Sequence, residues 1–95
     1  GYDGYPREVP GSGIFDFAVS MRAVIAVDAG GGPVEYFFQC TTESGFSSGW
    51  ITTETYRVVV GRSGQGHRFR VKARDQWGNE TQWSTIEVTR QSANF

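Results

Sequence analysis

Between His67 and Asp75 the chain alternates without a break. Phe69, Val71 and Ala73 fall on one side, and Arg68, Arg70, Lys72 and Arg74 on the other. Successive side chains of a β-strand point to opposite faces, so a period of two predicts a strand with one buried and one wet side. A helix would put Arg70 and Arg74 on one face with no apolar stripe opposite, and that reading fails. A strand with one greasy face needs a second layer to cover it, so the rest of the chain is read as strands built around this one.

Val19 to Asp28 reads as a strand with Val19, Met21, Ala23 and Ile25 on one face. Ala29 to Pro33, three glycines followed by proline, reads as a turn. Val34 to Cys40 is a second clear strand, with Val34, Tyr36, Phe38 and Cys40 inward and Glu35, Phe37 and Gln39 outward. A short strand around Ser48–Thr52 carries Trp50, and Thr55–Val60 is another with Tyr56 and Val58 on one face. A glycine-rich connection, Gly61–Gly66, leads into the alternating segment. Gln76-Trp77-Gly78-Asn79 forms a tight turn after it, and Thr85–Thr89 closes the sheet with Ile86 and Val88. Residues 1–13 read as a linker or an edge-strand segment, with a short edge strand at its end, because Pro6 and Pro10 bracket Arg7–Val9 and proline belongs at or beyond sheet edges. No helix start with its cap and 3.6-residue stripe is present. Seven or so short strands separated by turn residues predict an all-β antiparallel sandwich.

Ninety-five residues make one domain. Aromatic residues are 15% of the chain, enough for rings to fill a thin core in a sequence that contains no Leu. The net charge of −1 draws the chain to neither nucleic acid nor a membrane surface, and no apolar run approaches the ~20 residues of a spanning helix. The single Cys40 excludes an internal disulfide. The chain reads as a piece of something longer.

Val34–Cys40, Ser48-Gly49-Trp50, Tyr56, and Phe69–Asp75 followed by Gly78-Asn79 and Trp83-Ser84 together resemble a bacterial fibronectin type III domain. The resemblance covers residues 14–91, leaving 92–95 as a tail. It is closest to the modules of secreted multidomain enzymes and surface proteins. It implies an immunoglobulin-like sandwich of about seven strands, outside the cell or on its surface, with neighbouring domains of the same chain as partners. It also implies a corner in which a Leu and a Tyr pin the two sheets. Gly61 and His67 stand at those positions here, with Val60 able to enter the apolar slot.

Chemistry finds little to build on. His67 and Asp75 sit at opposite ends of one strand, roughly 26 Å apart at ~3.3 Å per residue, and cannot share a proton. Zinc needs four Cys or His ligands, and the chain has one of each. Asp75, Asn79 and Glu80 offer oxygens in a turn, which turn geometry alone explains. No catalytic residue, metal or cofactor is therefore expected. The candidate ligand-binding residues are Trp77, in a turn tip where binding residues concentrate, and the stripe Arg68, Arg70, Lys72 and Arg74. The stripe suits an anionic polysaccharide or a protein. It better suits a structural ladder in which Glu35, Phe37 and Gln39 supply ion pairs and a ring, and Trp77 and Trp83 interleave with the cations, since a polyanion binder would carry excess positive charge. Trp50 and Phe46 are lesser candidates as sugar platforms. The expected function is a non-catalytic accessory or spacer module, with a carbohydrate- or protein-binding module as the alternative.

Overall fold

The computed structural model describes residues 1–11, 16–26, 32–61 and 66–90. Among these residues seven strands form two antiparallel sheets: β1 (Tyr2–Pro10), β2 (Phe17–Ala23), β3 (Glu35–Cys40), β4 (Trp50–Ile51), β5 (Thr55–Gly61), β6 (Arg68–Arg74) and β7 (Glu87–Val88). One sheet runs β1-β2-β5 and the other β4-β3-β6-β7. The chain thus crosses between layers after β2, after β4 and again after β5. A 3-10 turn, Ser44–Phe46, lies between β3 and β4.

The alternating segment does what its period requires. Phe69, Val71 and Ala73 are 0%, 3% and 7% exposed, and they pack with Tyr36, Phe38 and Cys40 of β3 and with Val19, Met21 and Ala23 of β2. The Tyr56 ring of β5 stacks on Phe38 across the layers, centroids 5.6 Å apart. Each fully buried Phe contributes about 1.5–3 kcal/mol, so Phe38 and Phe69 anchor the sandwich. Cys40 is buried among them as a free thiol.

Three expectations need correction. Residues 2–10 take the edge-strand alternative and not the linker, and the strand is longer than expected, at nine residues. Register shifts near Gly4 and Arg7 let it carry Pro6, which is fully buried. The β2 strand ends at Ala23 instead of continuing through Ile25. Tyr36 Oη accepts a hydrogen bond from Ala26 N–H (3.0 Å), so the chain is tied to the other layer there, and Val24 and Ile25 are left exposed. Residues 27 and 28 lie outside the described residues, as do 29–31 of the glycine turn and 62–65 of the glycine-rich connection.

The last strand is inverted relative to expectation. Glu87 pairs with Phe69 and Val88 with Arg68, and cross-strand partners share a face. Glu87 therefore follows Phe69 inward, while Ile86 and Val88 stand about half exposed. Thr89 is buried and directs both its N–H and its hydroxyl to the His67 carbonyl, at 2.8 and 2.9 Å. The His67 ring itself lies edge-on to Phe46 and 3.4 Å from Thr42 Oγ1. The corner is held by these contacts and by Tyr56 Oη donating to the Phe46 carbonyl.

Candidate functional site

Strand β6 carries Arg70, Lys72 and Arg74 on its outer face, facing Gln39, Phe37 and Glu35 of β3 in register. Alternate residues of a strand lie ~6.6 Å apart. That gap accepts one aromatic ring with van der Waals contact on both sides, ~3.5 Å each. Two tryptophans fill the two gaps. Trp83 reaches in from the segment beyond β6, with the Arg70 guanidinium 4.2 Å and the Lys72 ammonium 4.4 Å from its centroid. Trp50 of β4 reaches in from the opposite edge, 4.2 Å from Arg74 and 5.6 Å from Lys72. The order along the face is Arg70, Trp83, Lys72, Trp50, Arg74. Phe37 stands edge-on to both indoles, at 5.4 and 5.5 Å.

Each cation of the ladder also has a polar partner. Arg70 Nε donates to Gln39 Oε1 at 2.6 Å, Arg74 Nε to Glu35 Oε1 at 2.9 Å, and Lys72 pairs with Glu80 at 2.5 Å. The Lys72 side chain is 20% exposed and that of Arg74 32%. At such half-buried positions each cation–ring contact is worth between the ~0.5–1 kcal/mol of an exposed pair and the ~2 kcal/mol of a desolvated one. The row is self-satisfied, so it has little charge to offer an anion.

The tryptophans are delivered by hydroxyl groups acting in place of backbone acceptors. Ser84 Oγ accepts from Val71 N–H and Thr81 Oγ1 from Ala73 N–H, both at 3.0 Å, on the β7 side of β6. On the β4 side of β3, Ser48 Oγ accepts from Phe38 N–H and Ser47 Oγ from Cys40 N–H. Ser84, Thr81 and Ser48 each donate in turn to the carbonyl of the following residue. A strand N–H must find a partner. These side chains supply one and also fix Trp83 and Trp50 beside the cations.

Trp77 is not part of the ladder. It stands 66% exposed in the turn after β6. Asp75 builds that turn by accepting from Trp77 N–H, Asn79 N–H and the Asn79 side-chain amide, all at 2.9 Å. Gly78 follows with φ +84°, where a side chain would be strained. The Asn79 amide, followed by the backbone donors, holds the Asp75 carboxyl below the usual carboxylate range. Those oxygens thus serve turn donors, and among the described residues no three His, Cys, Asp or Glu converge as metal ligands.

The site residues read from the sequence therefore separate into three groups. Arg70, Lys72 and Arg74 join the ladder. Arg68, paired by backbone with Val88, is exposed and lines a broad surface groove of about 600 Å³ with Thr41, Thr42, Ile86 and Glu87. Trp77 stands alone. Trp50, a lesser candidate as a sugar platform, takes the ladder position expected of Trp77, and Phe46 packs against the core instead of offering a platform. Only the pairing of β4 with β3, Phe37 opposite Trp50, could have located Trp50. No helix among the described residues is long and apolar enough to cross a membrane. Comparison with known proteins finds no matching family model, curated protein or solved structure.

Proposed function

We propose that this chain is a non-catalytic module, of the fibronectin type III kind, that spaces or orients neighbouring domains of a secreted or cell-surface bacterial protein such as a polymer-degrading enzyme. The observation that carries this reading is the direction of the first and last segments. Arg90 bridges to Arg7 in parallel, with Arg90 N–H donating to the Pro6 carbonyl and Glu8 N–H to the Arg90 carbonyl. The first and last described segments thus run in the same direction where they meet, an arrangement that suits a module joined in series. The ladder supports the same reading, because the cations that would bind an anionic polymer are occupied by the domain's own rings and carboxylates.

A second reading rests on Trp77. A large ring two-thirds exposed in a turn tip is a surface on which a pyranose could stack, and it favours a carbohydrate-binding module. Affinity electrophoresis against neutral and anionic polysaccharides separates the two. The spacer reading expects unchanged mobility in every gel. Retardation by one polysaccharide that Trp77→Ala abolishes would replace it with the binding reading.

A further inference from the structure

A sheet ends in strands whose outward N–H and C=O groups lack partners, and proteins protect such edges with proline, lysine, bulges or short length. Three of the four edges here are protected. Strand β1 carries Pro6 and Pro10, two register shifts and the bridge to Arg90. Strands β4 and β7 are two residues each. Strand β5 is different: seven residues, Thr-Tyr-Arg-Val-Val-Val-Gly, rich in strand formers and free of proline and lysine. Among the described residues no other element pairs with its outer side.

The direction of its backbone groups follows from one bond. Ala23 N–H donates to the Glu54 carbonyl (2.8 Å), so Glu54 faces β2, as do Tyr56 and Val58 opposite Met21 and Val19. Thr55, Arg57 and Val59 therefore point their backbone groups outward. The Thr53 hydroxyl caps the Thr55 carbonyl, which leaves Arg57 and Val59 as the open pair. Arg57 is the only charged residue of the strand, and its guanidinium donates to the Pro10 carbonyl at 3.0 Å. It thus reaches back over the sheet to β1, away from the edge.

We propose that this edge takes a second copy of the chain. The two β5 strands pair antiparallel about a two-fold axis at Val58, and the sheet continues as β1-β2-β5-β5-β2-β1. In this register Arg57 of each copy exchanges both backbone bonds with Val59 of the other, and Val58 faces Val58. A register centred on Arg57 sets two guanidinium-bearing residues directly opposite each other, which is unfavourable. A register centred on Val59 draws in Gly61, where the pairing with β2 already shifts. The edge is thus complementary to itself in one arrangement, as a two-fold interface requires. A net charge of −1 sets no long-range repulsion between copies.

Sedimentation equilibrium from low to high micromolar protein tests this. The expected result is a mass rising with concentration toward twice that of the chain. Val59→Pro should weaken association at least tenfold while leaving the far-ultraviolet dichroism unchanged, because the Val59 N–H serves no bond to β2. If that variant does not fold, Val59→Lys is read in its place, since it sets a second cation opposite Arg57. Single-chain mass at every concentration overturns the proposal, as does a folded Val59→Pro or Val59→Lys variant that dimerises like the wild type.

Discussion

Phe37 and Lys72 stand opposite each other in the β3–β6 ladder, and the two indoles that hold the Lys72 ammonium are the same two that receive the edges of the Phe37 ring. One cross-strand pair thereby organises the whole outer face of the four-stranded sheet. The ladder is a packing unit: a second, exterior core in which cations take the place of aliphatic side chains.

Removing a ring from that unit should be costly. Trp83→Ala loses contacts with Arg70, Lys72 and Phe37, and is expected to lower stability by about 2–3 kcal/mol. Trp77→Ala, outside the ladder, should fall within about 0.5 kcal/mol of wild type. Urea unfolding followed by circular dichroism compares the two. Equal losses would show that the ladder contributes nothing.

The hydroxyl crosspieces make a second prediction. Ser84→Ala leaves Val71 N–H without its acceptor, and Ser48→Ala does the same to Phe38 N–H. Each should cost about 1–3 kcal/mol, the penalty of an unsatisfied buried donor. Amide exchange at Val71 or Phe38 should quicken in the matching variant only. Uniform acceleration across the sheet would instead indicate general loosening.

Tyr2 carries a buried hydroxyl with no hydrogen-bond partner among the described residues. Burial, with smaller contributions from Glu87 and Cys40, raises its pKa well above the ordinary 10.0. A folded-state pKa above the unfolded one favours the native state fully below about pH 10, and that contribution is lost as the pH rises further. Tyr2→Phe should therefore flatten the alkaline end of the stability profile. It should also leave neutral stability unchanged or about 1 kcal/mol higher, since it deletes an unsatisfied polar atom. Thermal melts from pH 7 to 11 measure both effects.

Asp75 gives the opposite sign. Its pKa is depressed below the ordinary 3.8 by the Asn79 bonds, so its contribution is complete above that value and fades as the pH falls through the folded-state pKa. In an acid titration by NMR, the Trp77 and Asn79 amide signals should move together with the Asp75 carboxyl. They should not move in that range in Asp75→Asn.

Local period was enough to place β3 and β6, because six or seven alternating residues state unambiguously which side is greasy. It failed where the run was short or where the deciding contact lay elsewhere in the chain. In Thr85–Thr89 a shift of one residue exchanges the faces, and only the register with Arg68 and Phe69 settles that Val88 points outward. Pro6 and Pro10 disguised β1, since proline in isolation argues against a strand; the register shifts and edge position that accommodate it are tertiary facts. The cation row was legible from its spacing. So was Trp83 as one of its rings; that Trp50 and not Trp77 fills the other gap was not, because Trp77 is near in sequence while Trp50 is near only through the pairing of β4 with β3.

The three indoles occupy two optical environments. Trp50 and Trp83 are clamped between cations and the edge of Phe37, while Trp77 meets water. Iodide should dim the solvent-facing fluorophore and spare the clamped pair, whose fixed orientation gives a near-ultraviolet dichroic signal that disappears when the outer face separates. The domain thus carries a built-in gauge of its own exterior packing, readable without any added label.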